Sequence, residues 1–324
     1  MAKLLDVKNL NVTFRTRRGP VRAVNDLSFS IDAGEVLGIV GESGSGKSVS
    51  MGAVMGLIKD DNAEITGEVL FQGEDLLKKS DPELRAVRGK DIAMIFQDPM
   101  TALTPVSTVG WHIREQLQLH SSISKQAARV RAIELLDEVG IPDPAKRVDQ
   151  YPHEYSGGMR QRAIIAMALS LNPALLIADE PTTALDVTIQ AQILDLLERL
   201  RQTHNSSIIV ITHDMGVVSE IASQVLVMYA GRAVERSSKD SLFKSPQHPY
   251  TKGLMNSVPR IDRARTSRLE TISGQPASLL NLPVGCAFQA RCPQVKPACS
   301  KVPPFIADSQ GFGAACILLE KGVH

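Results

Sequence analysis

The segment that most constrains the fold is residues 41–48, which read GESGSGKS. It follows an apolar run from Val36 to Val40 and precedes a stretch, 49–58, that is compatible with a helix. A strand, a glycine-rich loop and a helix in this order are the setting in which the pattern G-x-x-x-x-G-K-S binds nucleotide phosphates. The sequence therefore predicts a nucleoside triphosphate site at this turn.

Each residue type in this loop has an expected task. Glycines let backbone N–H groups turn inward, since no Cβ stands in the way. These groups and the N-terminus of the following helix hold phosphate oxygens. We expect Lys47 to reach the β- and γ-phosphates and the Ser48 hydroxyl to ligate Mg²⁺. The predicted nucleotide-binding residues of the loop and the residue after it are Gly41, Ser43, Gly44, Ser45, Gly46, Lys47, Ser48 and Val49.

Composition narrows the class of protein. The chain has 324 residues and a formal net charge of +1, which disfavours a dedicated nucleic-acid binder. The N-terminus has no continuous apolar segment of the kind found in secretory signals. The most apolar stretch, 163–178, is interrupted by Ser170, Asn172 and Pro173, so we expect it not to span a bilayer. These features favour a cytosolic protein that is able to dock on a membrane protein.

Strand and helix patterns alternate along the chain, which predicts a largely parallel α/β core. Helix spacing also dominates from about 108 to 171, which looks like an insertion into that core. A helix is expected near 81, with Asp81 as its N-cap and Pro82 at its first helical position. Predicted strands are 4–14, 21–31, 36–40, 66–72, 91–97, 174–178, 207–211 and 225–229, and further helical patterns are 109–119, 125–139, 188–203 and 214–222.

Two later segments contain further candidate functional residues. Residues 174–180 read ALLIADE, an apolar strand that ends in Asp179 and Glu180. A carboxylate at the end of such a strand is placed to hold Mg²⁺ near a phosphate loop, and the next carboxylate is placed to polarise a water. A solvated acidic pair is the simpler interpretation of these two residues alone. Residues 156–162 read SGGMRQR and open a helical stretch.

Taken together, these motifs resemble those of the ATP-binding cassette (ABC) transporter ATPases over residues 4–240. The SGG segment matches the family's signature, Gln97 its glutamine loop, Ala184-Leu185-Asp186 its D-loop and His213 its switch histidine. Phe14 stands where the family has an aromatic residue that stacks on adenine. The signature departs slightly from the common LSGGQ form, because it reads YSGGM.

The resemblance implies a fold and a mechanism. The expected α/β fold has an ABC-type P-loop NTPase core, an N-terminal antiparallel β portion, an inserted helical subdomain and a small C-terminal cysteine module. Two subunits would enclose each ATP between the loop of one and Ser156, Gly157 and Gly158 of the other. Expected catalytic residues are Glu180, His213, Gln97 and Lys47; Ser48, Gln97 and Asp179 would bind Mg²⁺, and Asp186 belongs to the D-loop.

Periodicity and composition along the chain set the expected domain boundaries. We expect an ATPase domain over 1–258, with its helical subdomain at about 98–171, a linker over 259–284 and a cysteine-containing extension over 285–324. The linker is rich in arginine and proline, for which a solvated surface is the simplest interpretation.

Three segments point to the peptide and nickel importer branch, and resemble the D-type ATPase of dipeptide importers most. These are QDPMTALTPVSTVG from Gln97, DEPTTALDVTIQAQI from Asp179, and the HPY sequence at 248–250. Thr104 departs from the asparagine that is common in this branch, in a region expected to face the permease. The resemblance implies a non-identical partner ATPase, two permease subunits, an extracytoplasmic binding protein and a place on the cytoplasmic face of the inner membrane.

All four cysteines lie near the end of the chain, at 286, 292, 299 and 316. A reducing compartment disfavours disulfides between them. The close C-x2–4-C pairs of zinc ribbons are absent, whereas four thiolates hold a [4Fe–4S] cluster without one fixed spacing. GCAFQARCPQVKPAC is also similar to a segment that carries such a cluster in some peptide importer ATPases. We expect the cluster, with zinc and unliganded thiols as the alternatives.

The leading function is therefore an ATPase that powers import of di- or oligopeptides through an inner-membrane permease. One alternative is an importer ATPase for nickel or another non-peptide solute. Another is a non-transport ABC ATPase that acts on nucleic acid or ribosomes. That class tends to carry tandem cassettes or a long coiled coil, and this chain has a single phosphate loop.

Overall fold

The computed structural model describes residues 3–98, 102–183, 185–257 and 272–319. The chain divides into two compact units, which are considered separately. The first unit comprises residues 1–31, 36–77 and 212–324, and the second comprises 32–35 and 78–211.

The strands of the described chain are β1 (Leu5–Thr16), β2 (Gly19–Ile31), β3 (Val36–Val40), β4 (Ala63–Phe71), β5 (Glu74–Asp75), β6 (Ile92–Ile95), β7 (Leu175–Asp179), β8 (Ser207–Thr212), β9 (Gln224–Tyr229), β10 (Arg232–Ser238), β11 (Ile306–Ala307) and β12 (Gly313–Ala314). The α-helices are α1 (Lys47–Val54), α2 (Asp81–Val87), α3 (Val109–His120), α4 (Lys125–Glu138), α5 (Pro144–Arg147), α6 (Gly157–Leu169), α7 (Val187–His204), α8 (Met215–Ile221), α9 (Lys239–Lys244) and α10 (Pro249–Ser257).

The N-terminal part of the first unit is an antiparallel sheet with the strand order β2-β1-β4-β5. Leu5 on the central strand β1 pairs with Ile31 on one side and Phe71 on the other. All three side chains are buried. Apolar and polar residues alternate along β1 and β2, as expected for strands that cover a core with one face.

The phosphate loop starts from a second group of strands in the first unit. β3 runs parallel to β9, β10 pairs with β9 antiparallel, and β12 pairs with β10. Every residue of β3 is buried, which is typical of a parallel strand that is covered on both faces. The loop leaves the carboxyl end of this strand and leads into α1, so the loop's base is fixed by buried structure.

The second unit contains the parallel strands β6, β7 and β8. Leu175 on β7 pairs with Ile92 on β6 and Ser207 on β8. Helices α3, α4 and α6 pack against one another in the inserted helical region. Each begins at a serine or threonine whose side chain accepts a backbone N–H from the first turn, which fixes where the helix starts.

The sequence places all eight predicted strands correctly, within a few residues at their ends. The predicted N-cap at Asp81 is wrong. Ser80 is the N-cap, because its backbone N–H donates to the Glu83 carboxylate at 2.8 Å in a capping box. The elements that the sequence missed are β5, β10, β11, β12, α5, α9 and α10.

The described part of the C-terminal extension packs into the first unit. Phe288 lies against Tyr229 of β9 and Tyr250 of α10, with ring centroids 5.3 Å apart in both pairs. The predicted linker falls partly on 258–271, outside the described residues, and the predicted domain boundaries stay predictions. Among the helices of the described ranges, none combines the length and the apolar character needed to cross a membrane.

Candidate nucleotide-binding and catalytic site

The phosphate loop is shaped by glycines at two points where a side chain would not fit. Gly46 adopts φ +98° immediately before α1, in the left-handed region that disfavours other residues. A Cβ on Gly41 would collide with the carbonyl oxygen of Met228 on β9. The loop therefore needs glycine at both positions to turn from β3 into α1.

Lys47 occupies the centre of this loop and is only 5% exposed. Its Nζ donates to the carbonyl oxygen of Gly41 at 2.6 Å and to that of Glu42 at 3.0 Å. Ser48 is exposed in the first turn of α1. The loop thus brings together a buried cation, an exposed hydroxyl and a helix N-terminus, a combination that suits a polyphosphate with Mg²⁺.

The second unit holds the predicted carboxylates at the end of β7. Asp179 is its last residue and is buried. Glu180 follows with φ +48°, an uncommon conformation for a non-glycine residue that is found at functional sites. The Glu180 N–H donates to the Ile211 carbonyl at 2.9 Å, which links this turn to the neighbouring strand β8.

Two side chains hold the carboxylate of Glu180. Its Oε2 accepts from Nε2 of Gln97 at 3.1 Å and from Oγ1 of Thr183 at 2.8 Å. The structure therefore brings together Gln97 and Glu180, which the sequence predicts to act at one site. Thr183 was missed, although its position three residues after a candidate base is a signal that could have identified it.

The SGG segment lies at an exposed helix N-terminus in the second unit. Ser156 is the N-cap of α6, and its side chain accepts the N–H of Met159 at 3.3 Å. Gly157 is exposed and has open space where a Cβ would stand. Backbone N–H groups at such a terminus attract anions.

The remaining predicted residues lie on separate elements. Asp186 is the N-cap of α7 and accepts the N–H of Ile189 at 2.9 Å. His213 is exposed directly after β8. Phe14 is half-buried on β1, where it pairs with Val21 and Ala63. The roles assigned to these residues stay predictions.

All four cysteines line one small cavity of about 10 Å³ in the first unit, together with His248 and Phe288. Cys299 and Cys316 are buried, and the other two are half-buried. Burial raises the pKa of the Cys286, Cys292 and Cys316 thiols, and the neighbouring cysteines raise it further. Within the described ranges, no group of three or more His, Cys, Asp or Glu side chains is arranged to hold a single metal ion.

Comparisons with known proteins agree with this geometry. Residues 24–183 match the family model described as ABC transporter. Residues 234–299 match the model described as the C-terminal region of oligopeptide and dipeptide transporters. The chain is 52% identical to the dipeptide transport ATP-binding protein DppD of Bacillus subtilis over 305 residues, which cover 94% of this chain and 91% of that one. The chain belongs to the ABC transporter family.

Two further members of this family support the assignment. The oligopeptide transport ATP-binding protein OppD of Salmonella typhimurium is 52% identical over 313 residues, with 97% of this chain and 93% of that one covered. A solved ATP-binding cassette, a dimer in a post-hydrolysis state with ADP and Pi, superimposes with a TM-score of 0.65 at 28% identity, covering 72% of this chain and 98% of that one. The ABC ATPase fold expected from the sequence is thus confirmed, and ATP with Mg²⁺ is the nucleotide expected for this family.

Proposed function

We propose that this ABC family member hydrolyses ATP to drive the import of di- or oligopeptides through a membrane permease. The observation that carries the proposal is the Glu180 carboxylate, fixed by Gln97 and Thr183 at the end of β7. A carboxylate held in this way is a candidate general base for a water that attacks the γ-phosphate.

The residues divide the task between them. Lys47 neutralises phosphate charge, while the hydroxyl of Ser48 and the carboxylate of Asp179 are oxygen ligands of the kind that Mg²⁺ prefers. The N-terminus of α6, with Ser156, completes the site of a second ATPase subunit. Hydrolysis then depends on closure of two subunits, and His213 and Gln97 respond to the γ-phosphate and the metal. Phe14 would stack on the adenine.

The Glu180→Gln variant tests the hydrolytic assignment. It keeps the size and the hydrogen-bonding capacity of the side chain but removes the base. We expect ATP hydrolysis to fall by at least about 100-fold, the usual contribution of a general base, while ATP still binds. Hydrolysis at the unmodified rate would refute the role of Glu180.

Glu134→Gln is the matched control, since the exposed Glu134 carboxylate forms an ion pair with half-buried Arg131 in the same unit. Exposed pairs contribute little to stability, so this variant should hydrolyse ATP normally. Equal losses in the two variants would indicate general damage from removing a carboxylate.

The transport assignment needs the membrane assembly. We propose that the working complex contains this chain, a related ATPase, two permease subunits and, outside the membrane, a binding protein, with this chain on the cytoplasmic face of the inner membrane. A tagged chain purified from detergent-solubilised membranes should bring down permease subunits. Recovery of ribosomes or DNA instead would favour a non-transport ATPase.

Assays of the reconstituted transporter distinguish the import of peptides from the import of nickel. With its binding protein added, a dipeptide should stimulate ATP hydrolysis and accumulate in vesicles that contain ATP. Stimulation by nickel salts and not by any peptide tested would contradict the peptide assignment.

We also propose that Cys286, Cys292, Cys299 and Cys316 hold a [4Fe–4S] cluster. They share one cavity, and four thiolates are the donor set of such a cluster. Iron binding would stabilise the thiolate form, which burial alone disfavours in this cavity. Because the cysteines lie outside the hydrolytic motifs, the role would be structural or regulatory.

Anaerobic purification followed by iron, sulfide and zinc analysis decides between the candidate occupants. We expect about four irons and four sulfides per chain, and loss of both in Cys299→Ser. Lys47→Ala should keep the iron, because Lys47 lies in the phosphate loop. Zinc without iron, or neither metal, would contradict the cluster.

A further inference from the structure

Glu42, the second residue of the phosphate loop, is held by two residues from the C-terminal part of the chain. Its backbone N–H donates to the hydroxyl of Tyr250 at 2.9 Å. Its carboxylate accepts two hydrogen bonds from the guanidinium of Arg291, at 2.6 and 2.9 Å. Such bidentate, charge-assisted pairs are among the strongest polar contacts in proteins. We refer to Glu42, Tyr250 and Arg291 as the loop brace.

The guanidinium of Arg291 is itself immobilised. Its Nε donates to the carbonyl of Ser273 at 3.0 Å, and Nη2 donates to that of Ile272 at 3.3 Å. The rings of Tyr229 and Phe288 flank it at 5.9 Å, and its side chain is only 4% exposed. The folded chain therefore fixes the orientation of the Arg291 guanidinium, so this side chain loses little conformational freedom when it binds Glu42.

The brace is connected to the groups that are expected to bind phosphate. The carbonyl oxygen of Glu42 accepts from Nζ of Lys47 at 3.0 Å and from the N–H of Ser45 at 3.2 Å. Moving the backbone at residue 42 would therefore displace both Lys47 and the turn at Ser45. A site that binds a charged ligand depends on hydrogen-bond donors that are already in position. Small displacements of Lys47 or Ser45 should therefore weaken nucleotide binding.

The ion pair between Glu42 and Arg291 has a second, electrostatic effect on the phosphate loop. The Glu42 carboxylate is 27% exposed on a loop that must accept a triphosphate. Unpaired, this carboxylate would repel the nucleotide, because like charges at short range oppose each other strongly where water is partly excluded. Arg291 compensates that charge from the side of the C-terminal extension.

We propose that Arg291 is a positioning residue for ATP binding, and that the C-terminal extension thereby sets the affinity of the phosphate loop in its own subunit. This rests on the proposed assignment of residues 41–48 to ATP. The brace ends beside the cysteine cavity, since Arg291 precedes Cys292 and Phe288 lines that cavity. The extension is in this way part of the nucleotide site's support.

The test is a double-mutant cycle on the full transporter complex, with the Kd for ATP measured at equilibrium. Arg291→Gln should weaken ATP binding about tenfold, because it leaves a carboxylate uncompensated next to the phosphates. Adding Glu42→Gln removes that charge, so the double variant should recover to within about threefold of the unmodified complex. A merely structural role predicts no such rescue, and a double variant as weak as Arg291→Gln would overturn the proposal.

A second pair of variants keeps the proposal testable if Arg291→Gln does not fold. Tyr250→Phe keeps the buried ring and removes the acceptor of the Glu42 N–H, so ATP binding should weaken about threefold to tenfold. Ser257→Ala is its control, since it removes a hydroxyl of the same helix, α10, that donates to the carbonyl of Gly253 and to no residue of the brace. Equal ATP affinities in these two variants would count against the brace.

Two controls separate this proposal from the assignment of the loop. Arg15→Gln breaks an exposed Arg15–Glu64 pair in the same unit and should leave the Kd unchanged. Lys47→Ala should weaken ATP binding by about 100-fold or more. If it does not, the loop assignment itself fails; if it does while Arg291→Gln binds ATP normally, only the brace is wrong.

Discussion

Two helix N-termini in this chain are candidates to bind phosphate, and they are built differently. The terminus of α1 grows out of a buried strand, and its lysine is almost wholly enclosed. The terminus of α6 is exposed, and its cap is its own Ser156. The terminus of α1 is enclosed by the chain around it, whereas the terminus of α6 is an open surface on which a second subunit can close. This difference is what a composite site needs, where one subunit holds the nucleotide and another completes it.

The largest expected effect comes from removing the Lys47 ammonium group from the phosphate loop at the start of α1. Lys47→Ala eliminates the ammonium group that we propose binds the phosphates. Because hydrogen bonds to charged groups are strong, we expect ATP affinity to fall by about 100-fold or more. Equilibrium binding of ATP to the purified chain measures it. Lys8→Ala, at an exposed ion pair with Glu68, is the control and should bind ATP normally.

A carboxylate placed on the exposed terminus should separate binding from hydrolysis. Gly157→Asp fits the open space, and an acidic residue in the first turn favours the helix. We expect normal ATP binding by the isolated chain but hydrolysis lowered about 30-fold in the assembled complex, because the carboxylate repels the partner's nucleotide. Gly157→Asn is the uncharged control. Weak ATP binding by the isolated Gly157→Asp chain would contradict the contrast between the two termini.

Adding one methyl group at each terminus compares their packing. Gly41→Ala places a Cβ against the Met228 carbonyl, so the free energy of unfolding should fall by about 2 kcal/mol or more. Gly157→Ala meets no neighbour, and alanine favours a helix, so stability should stay the same or rise by up to about 1 kcal/mol. Chemical denaturation of the two variants measures both values. Similar losses in both would show that the two termini are equally enclosed.

The smallest effect concerns the caps. Ser156→Ala and Ser124→Ala each remove a side chain that accepts an N–H from the first turn of its helix, α6 or α4. Each should lower the free energy of unfolding by about 1 kcal/mol. Only Ser156→Ala should also slow hydrolysis in the complex. If both variants slow it equally, the effect comes from lost stability and the exposed terminus has no special role.

Local patterns account for the parts of the site that the sequence predicts well. The loop at 41–48 is recognisable from its own glycines and the apolar run of β3, which together lie within residues 36–48. Motif order predicts that Gln97 and Glu180 act at one site, and the structure places their side chains 3.1 Å apart. The order of the motifs along the chain therefore indicates which distant residues lie close together, and the residue spacing within a single motif does not.

Contacts between distant segments account for what was missed. No pattern in the sequence assigns a role to Arg291, yet its side chain pairs with a loop 249 residues earlier. Strand β12 has two residues, and its pairing with β10 depends on a partner that no periodicity reveals. The sequence predicts Asp81 as an N-cap where the structure has Ser80, because serine and aspartate are both good capping residues and only geometry distinguishes them.

The hairpin of β11 and β12 has a consequence for solubility. Strand β10 pairs with β9 on one side, and on the other its Glu235 and Arg236 pair with Ala314 and Gly313. An uncovered strand of this kind offers unsatisfied backbone groups to any other chain, which is a common start of aggregation. By covering this stretch with a short hairpin, the end of the chain shields its own sheet from self-association while the protein awaits its partners.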